Sequence, residues 1–232
     1  YINMKTLLFS LVTLLGVTLG NAGISAVDLA ENISVDASVS YSNLSTSGGL
    51  AVREDSLGYS VLLGTSFEGG VASVGVDIYD ADGGTDTDLS ISWARPVTIL
   101  GQSLEAEIYL QQIESSYGGW EEAGLGLTYS NEWADVTATF WHELGTDASY
   151  GVEITVSRDF TVPVENLTVS PFVAVNIAND YNAVEVGVSA DYDFGNNLSV
   201  GAKVSYNHND VDGSAYALDN DWVVGAGFNY KF

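Results

Sequence analysis

The chain has 232 residues, of which 31 are Asp or Glu and only 6 are Lys or Arg, so its formal net charge is −25 at pH 7. This charge argues against a nucleic-acid partner, because the phosphate backbone would be repelled, and the absence of cysteine excludes disulfides and thiolate metal sites. A hydrophobic fraction of 46% is too high for a disordered chain.

The first element in chain order is an apolar run, TLLFSLVTLLGVTLG, which follows Met4 and Lys5. Its length and basic start are typical of a secretory signal peptide, and the small residues of NAGISA would allow cleavage after Ala22 or Ala26. We predict that residues 1–26 are leader residues plus a cleaved signal and that 27–232 form one domain. A membrane-anchoring helix is the alternative, which the shortness of the run disfavours.

Beyond residue 30 one pattern repeats, in which apolar residues alternate with small or polar ones. It is clearest in NISVDASVSY, NAVEVGVSADY and NLSVGAKVSYN. A period of two predicts β-strands with two differently solvated faces. Counting the last strand, DWVVGAGFNYKF, the pattern predicts about twelve strands, with ten or fourteen as alternatives. The remaining runs lie near 57–67, 70–80, 87–95, 102–113, 122–130, 134–143, 149–158 and 167–178.

Strand length, mid-strand charge and aromatic placement favour a membrane barrel over a soluble β-sandwich. Most runs are close to the ~9–11 residues that a tilted strand needs to cross hydrocarbon, and aromatic residues tend to stand at run ends, as in interfacial girdles. Ionised side chains on the polar faces need water, which the lumen of a closed barrel supplies. We therefore predict an all-β, antiparallel, up-and-down transmembrane β-barrel. The residues predicted to line its lumen and set its selectivity are Asp36, Asp77, Glu105, Glu107, Asp135, Glu153, Glu185, Asp191 and Lys203.

The connections predict the orientation of this barrel. With a periplasmic N-terminus, the long junctions 42–55 and 209–220 are external, and the short junctions 68–70, 130–133 and 193–197 are periplasmic turns. The junctions 96–102 and 159–166 are longer than expected for such turns. The external segment DADGGTDTD offers Asp80, Asp82, Asp86 and Asp88 as weak candidates for Ca²⁺ ligands. A solvated acidic loop is the alternative interpretation.

The signal peptide, the twelve runs and the C-terminal GAGFNYKF together resemble small Gram-negative outer-membrane porin-like barrels. The resemblance implies a bacterial outer-membrane location, contact with lipid and lipopolysaccharide, and an assembly signal at Phe228, Tyr230 and Phe232 that the barrel-assembly machinery reads. Known twelve-stranded barrels include porins for acidic oligosaccharides with basic lumens. The lumen predicted here is acidic, so that substrate class is not expected.

The predicted function is a porin-like channel for passive, cation-preferring passage of small solutes, without a cofactor. The alternative is a non-conducting structural or adhesive barrel whose acidic loops bind divalent cations or a surface partner. No enzyme is predicted. His142 lacks the neighbouring serine expected in outer-membrane phospholipases, and His208 precedes Asp210 in an order unlike that of omptin proteases, whose long external strands are also missing. The sequence leaves open whether the lumen conducts and whether the protein is a monomer or a trimer.

Overall fold

Twelve long antiparallel strands close into a barrel in the computed structural model of this chain. The structure describes residues 33–47, 50–67, 69–81, 84–115, 118–145, 148–179, 181–210 and 221–231. The barrel strands are β1 (Ile33–Ser47), β2 (Leu50–Phe67), β3 (Gly70–Ala81), β4 (Gly84–Ile99), β5 (Gln102–Ser115), β6 (Gly118–Ser130), β7 (Asp135–Glu143), β8 (Tyr150–Ser157), β10 (Leu167–Ala178), β11 (Asn182–Gly195), β12 (Leu198–Asn209) and β13 (Asp221–Lys231). A two-residue strand, β9 (Phe160–Thr161), pairs with β10 in the connection between β8 and β10.

The sheet closes because its first and last strands pair with each other. Each strand also pairs with its neighbour in sequence, apart from the bypass of β9. The β1–β13 ladder runs from Asp36 opposite Lys231 to Ser42 opposite Gly225. Closure leaves no unpaired edge among the barrel strands, which is what a sheet in hydrocarbon requires. The predicted transmembrane barrel of about twelve strands is therefore confirmed.

The outer face of the barrel is apolar and accessible. In each hairpin, directly paired residues lie on the same face of the sheet, so the two faces can be followed around the whole barrel. Large side chains on the outer face have high exposed fractions, such as 54% for Ile108 and 58% for Phe228. Aromatic pairs occur on this face near its ends, with Tyr206 and Trp222 in edge contact at 5.5 Å between ring centroids. This is the face that would contact lipid.

The turn between β4 and β5 is shorter than the sequence indicated. The two strands pair as far as Ile99 opposite Gln102, so that only Leu100 and Gly101 connect them. Both residues have positive φ, 51° and 81°, as tight two-residue hairpins require. The longer connection expected at 96–102 is thus a tight turn whose flanking residues continue the two strands.

Several predictions concern residues outside the described ranges. These are the signal peptide with its two cleavage positions, Phe232 in the assembly signal and Asp82 among the metal candidates. Within the described ranges, no helix has the length and apolar character needed to cross a bilayer.

Candidate functional site

The inner face of the barrel carries the acids that the sequence placed in a lumen. Asp77 on β3, Glu107 on β5 and Glu153 on β8 lie on the face opposite the exposed apolar residues. The same alternation places the other predicted residues on this face, namely Asp36, Glu105, Asp135, Glu185, Asp191 and Lys203. Their proposed role in selectivity stays a prediction.

Four further acids, which were not among the residues predicted to line the lumen, also lie on the inner face. They are Asp86 and Asp88 on β4, Glu122 on β6 and Glu143 on β7. Asp77 stands directly opposite Asp88, and Glu122 stands directly opposite Glu143. Like charges in directly opposed positions repel each other. This wall of the barrel therefore favours the presence of mobile cations.

One inner-wall ion pair is closely surrounded by other groups. The Lys203 ammonium lies 2.5 Å from Oε1 of Glu185 and 5.0 Å from the centroid of the Phe172 ring. The Ser205 hydroxyl donates to the same carboxylate oxygen at 2.6 Å. The Glu185 side chain is only 8% exposed, and a carboxylate so removed from water needs such partners. A looser pair joins Lys231 and Asp36 at 3.8 Å.

The neighbouring strands add polar groups beside this ion pair. Glu153 on β8 stands directly opposite Asn176 on β10, and Ala174, two residues away on the same face of β10, stands directly opposite Glu185. The Asn176 side chain is 2% exposed and donates its amide to the Tyr181 hydroxyl at 3.4 Å. Its Oδ1 receives no hydrogen bond within the described part of the chain. A buried oxygen acceptor therefore stands opposite a carboxylate.

Four aromatic side chains of the inner wall each lie over a glycine of the adjacent strand. The pairs are Tyr79 over Gly58, Tyr109 over Gly124, Trp141 over Gly151 and Phe172 over Gly187. In each pair the ring occupies space that a glycine Cβ would need, with the nearest ring atom 2.1 to 3.2 Å from that position. Since each ring lies in a recess of the wall, less of its volume projects into the lumen.

A cavity of about 430 Å³ lies along the strands with the smallest inner side chains. Its lining includes the inner-face residues Ser38 and Ser40 on β1, Gly201 on β12, and Gly225 and Gly227 on β13. Asp191 and Lys203 are the charged residues in this lining. The charged and aromatic wall therefore continues into a wall of small residues with space beside it.

The remaining predicted residues do not converge on one site. Asp80 stands opposite Thr85 on the outer face, whereas Asp86 lies on the inner face, so alternation separates these two metal candidates. Among the described residues, no group of three or more His, Asp or Glu is arranged to hold a metal ion.

His142 and His208 both lie on the outer face. His142 contacts its neighbour's backbone oxygen. Phe228 and Tyr230 of the assembly signal are exposed on the same face, where their role stays a prediction.

The alternation in the sequence could also have predicted which aromatic residues lie on the inner face. Tyr109 shares the parity of Glu105 and Glu107, and Phe172 has the parity opposite to Val173 and Val175. Asn176 follows the same rule. What alternation lacks is the identity of the residue opposite, which comes only from the strand register.

Comparison with known proteins gives a likeness of fold without a relative in sequence. No protein-family model matches the chain, and no curated protein matches it. Among solved structures, a KdgM porin in complex with disordered oligogalacturonate is 11% identical and gives a TM-score of 0.54, covering 86% of this chain and 99% of its own. The fold is that of the small outer-membrane porins.

Two more structures support this likeness. The NanC porin is 11% identical and gives a TM-score of 0.55, with 85% of this chain and all of its own covered. An outer-membrane channel from Pseudomonas putida F1 is 9% identical and gives a TM-score of 0.54, with 87% and 95% covered. The alignments extend over nearly the whole length of these porins and channels, as expected for a chain with the same barrel.

Proposed function

We propose that this protein is a porin-like channel of the bacterial outer membrane that passes small solutes passively and prefers cations. The observation that carries the proposal is the charge of the inner wall. Eight predicted acids and four further ones face inward, whereas the inward-facing basic side chains of the described residues are Lys203 and Lys231. Charges of one sign within low-dielectric walls concentrate their counter-ions and repel co-ions.

The range of this effect suits a narrow passage. Screening limits the distance over which exposed charges act to about 10 Å at 0.1 M salt and about 3 Å at 1 M. Selectivity should therefore persist at moderate ionic strength and decrease towards molar salt. The KdgM structure contains oligogalacturonate, which is anionic. We do not extend that ligand to this protein, because an acidic wall would repel it.

Reversal potentials across a planar bilayer with a salt gradient test the proposal. The test variant carries Glu105→Gln and Glu107→Gln on the inner face of β5. The matched control carries Glu114→Gln on the outer face of β5 and Glu121→Gln on the outer face of β6. Both variants lose two negative charges, the test variant from the inner face and the control from the outer face.

The expected result follows from Coulomb's law. One charge about 7 Å away changes the energy of an ion in water by about 0.6 kcal/mol, with opposite sign for K⁺ and Cl⁻. Because two charges are removed and screening roughly halves their effect at 0.1 M salt, the inner pair should lower the K⁺ to Cl⁻ permeability ratio by about fivefold or more. The permeability ratio of the control variant should stay within experimental error of that of the wild type. An anion-selective wild type, or equal effects of the two variants, would contradict the proposal.

The competing function is a barrel that does not conduct. It is favoured by the packing of Trp141 and Tyr181 on the inner face, stacked at 6.2 Å with Ala183 beside them, because these side chains fill part of the barrel interior. A correctly folded protein that shows no conductance would support this structural or adhesive role. Its acidic external segments would then be tested for binding of Ca²⁺ or lipopolysaccharide.

A further inference from the structure

We propose that Glu153 and Asn176, next to the ion pair of Lys203 and Glu185, form a binding site for the ammonium group of an organic amine. This ammonium site lies on the inner wall across β8 and β10. The inference rests on the proposed channel, since it names the class of cation that the wall favours. Its binding test does not depend on conduction.

The first argument is that an ammonium of the chain itself is bound directly beside the site. The Lys203 ammonium is held by the Glu185 carboxylate at 2.5 Å and lies 5.0 Å from the Phe172 ring centroid. A carboxylate together with an aromatic face is a favourable environment for an alkylammonium. The chain itself therefore shows which chemistry this wall accepts.

The second argument is that Glu153 and Asn176 have hydrogen-bond acceptors in excess of donors. Glu153 stands opposite Asn176, and within the described residues its side chain accepts one long hydrogen bond, from the Thr155 hydroxyl at 3.4 Å. The Asn176 Oδ1, on a side chain only 2% exposed, has no donor there. A buried acceptor without a donor is energetically unfavourable. A ligand that brings N–H donors would remove this cost.

The third argument distinguishes an ammonium from a metal ion. An alkylammonium has three N–H donors, so that one group can donate both to a carboxylate and to an amide oxygen such as those of Glu153 and Asn176. Ca²⁺ needs six to eight oxygen ligands. The described residues contain no group of three or more acidic or histidine side chains arranged to hold a metal.

Isothermal titration calorimetry tests the site with 1,4-diaminobutane added to the full-length protein in detergent. We expect Glu153→Gln to weaken binding about tenfold or more, since the acceptor loses its negative charge and the charge-assisted hydrogen bond becomes a weaker neutral one. Asn176→Leu, which keeps the branched shape of the side chain but removes the acceptor and the amide donor to Tyr181, should weaken binding severalfold. The control is Glu105→Gln, which removes one inner-wall charge at a position three strands from Glu153.

The outcomes separate the site from the general field of the wall. Binding that weakens in Glu153→Gln and stays within about twofold in Glu105→Gln supports the site. Equal weakening in both variants, absence of binding to the wild type, or equally effective competition by K⁺ or Ca²⁺ would overturn it. Circular dichroism and heat-modifiable mobility exclude misfolded variants. A protein that binds the diamine but does not conduct would refute the channel while retaining the site.

Discussion

The pair of Tyr109 and Gly124 allows a sharp test of how the inner wall is packed. A Cβ added at Gly124 would lie 2.1 Å from Cε1 of Tyr109 and 2.2 Å from Cζ, far inside van der Waals contact. Tyr109 is fixed by the hydrogen bond that its hydroxyl donates to Glu122 at 2.6 Å. In Gly124→Ala the ring must therefore leave its recess, move towards the lumen and give up this bond.

The expected loss of stability combines two contributions. Overpacking of a well-filled region costs about 1–3 kcal/mol, and loss of a hydrogen bond to a charged group costs about 1.5–3 kcal/mol. Since the ring relaxes towards an open space, we expect the free energy of unfolding of Gly124→Ala to fall by about 2–4 kcal/mol. Conductance should fall as well, because the displaced ring narrows the passage.

Gly126→Ala is the matched control, on the same strand and the same face. Its added Cβ would lie 3.6 Å from Oγ1 of Thr139, an ordinary contact, so its free energy of unfolding should change by less than about 0.5 kcal/mol. Urea titration of the refolded protein in lipid vesicles measures the free energy of unfolding of both glycine variants. In a Tyr109→Ala background the cost of Gly124→Ala should largely disappear. Similar losses for the two glycine variants, or a cost that survives without the ring, would refute the reasoning.

Two further predictions concern the ends of the strands. Deletion of Phe232 should impair insertion into the outer membrane while secretion continues, which cell fractionation measures. An undiminished amount of heat-modifiable protein in the outer-membrane fraction would contradict this prediction. Hydrogen bonds from the side chain and backbone amide of Asn182 hold the pKa of Asp210 below its usual 3.8. These hydrogen bonds, which join β11 to the end of β12, should be fully formed above about pH 4 and should be lost as the pH falls through the lowered pKa. The Asn182 amide shift in an NMR pH titration should have its midpoint below 3.8, and a midpoint at or above that value, or an unchanged titration in Asp210→Asn, would contradict the assignment.

The sequence alone determined which face of each strand a residue occupies. A period of two is local, because successive side chains of a strand point to opposite faces whatever lies beside it. Asp36, Glu107 and Glu185 could therefore be placed together on the inner face from their neighbours in sequence. The same alternation, with the length of the runs, was enough to predict a closed barrel of about twelve strands.

Only the tertiary structure decided which residues meet across strands. The β4 and β5 strands continue to a two-residue turn at Leu100 and Gly101, and the register set by such turns places Tyr109 opposite Gly124 and Glu153 opposite Asn176. Nothing in the sequence around these residues indicates that they are partners. A shift of one residue in the strand register would change every such pair. The inner-wall charge thus follows from composition and alternation, whereas the ammonium site depends on hydrogen-bonded register, which no local pattern specifies.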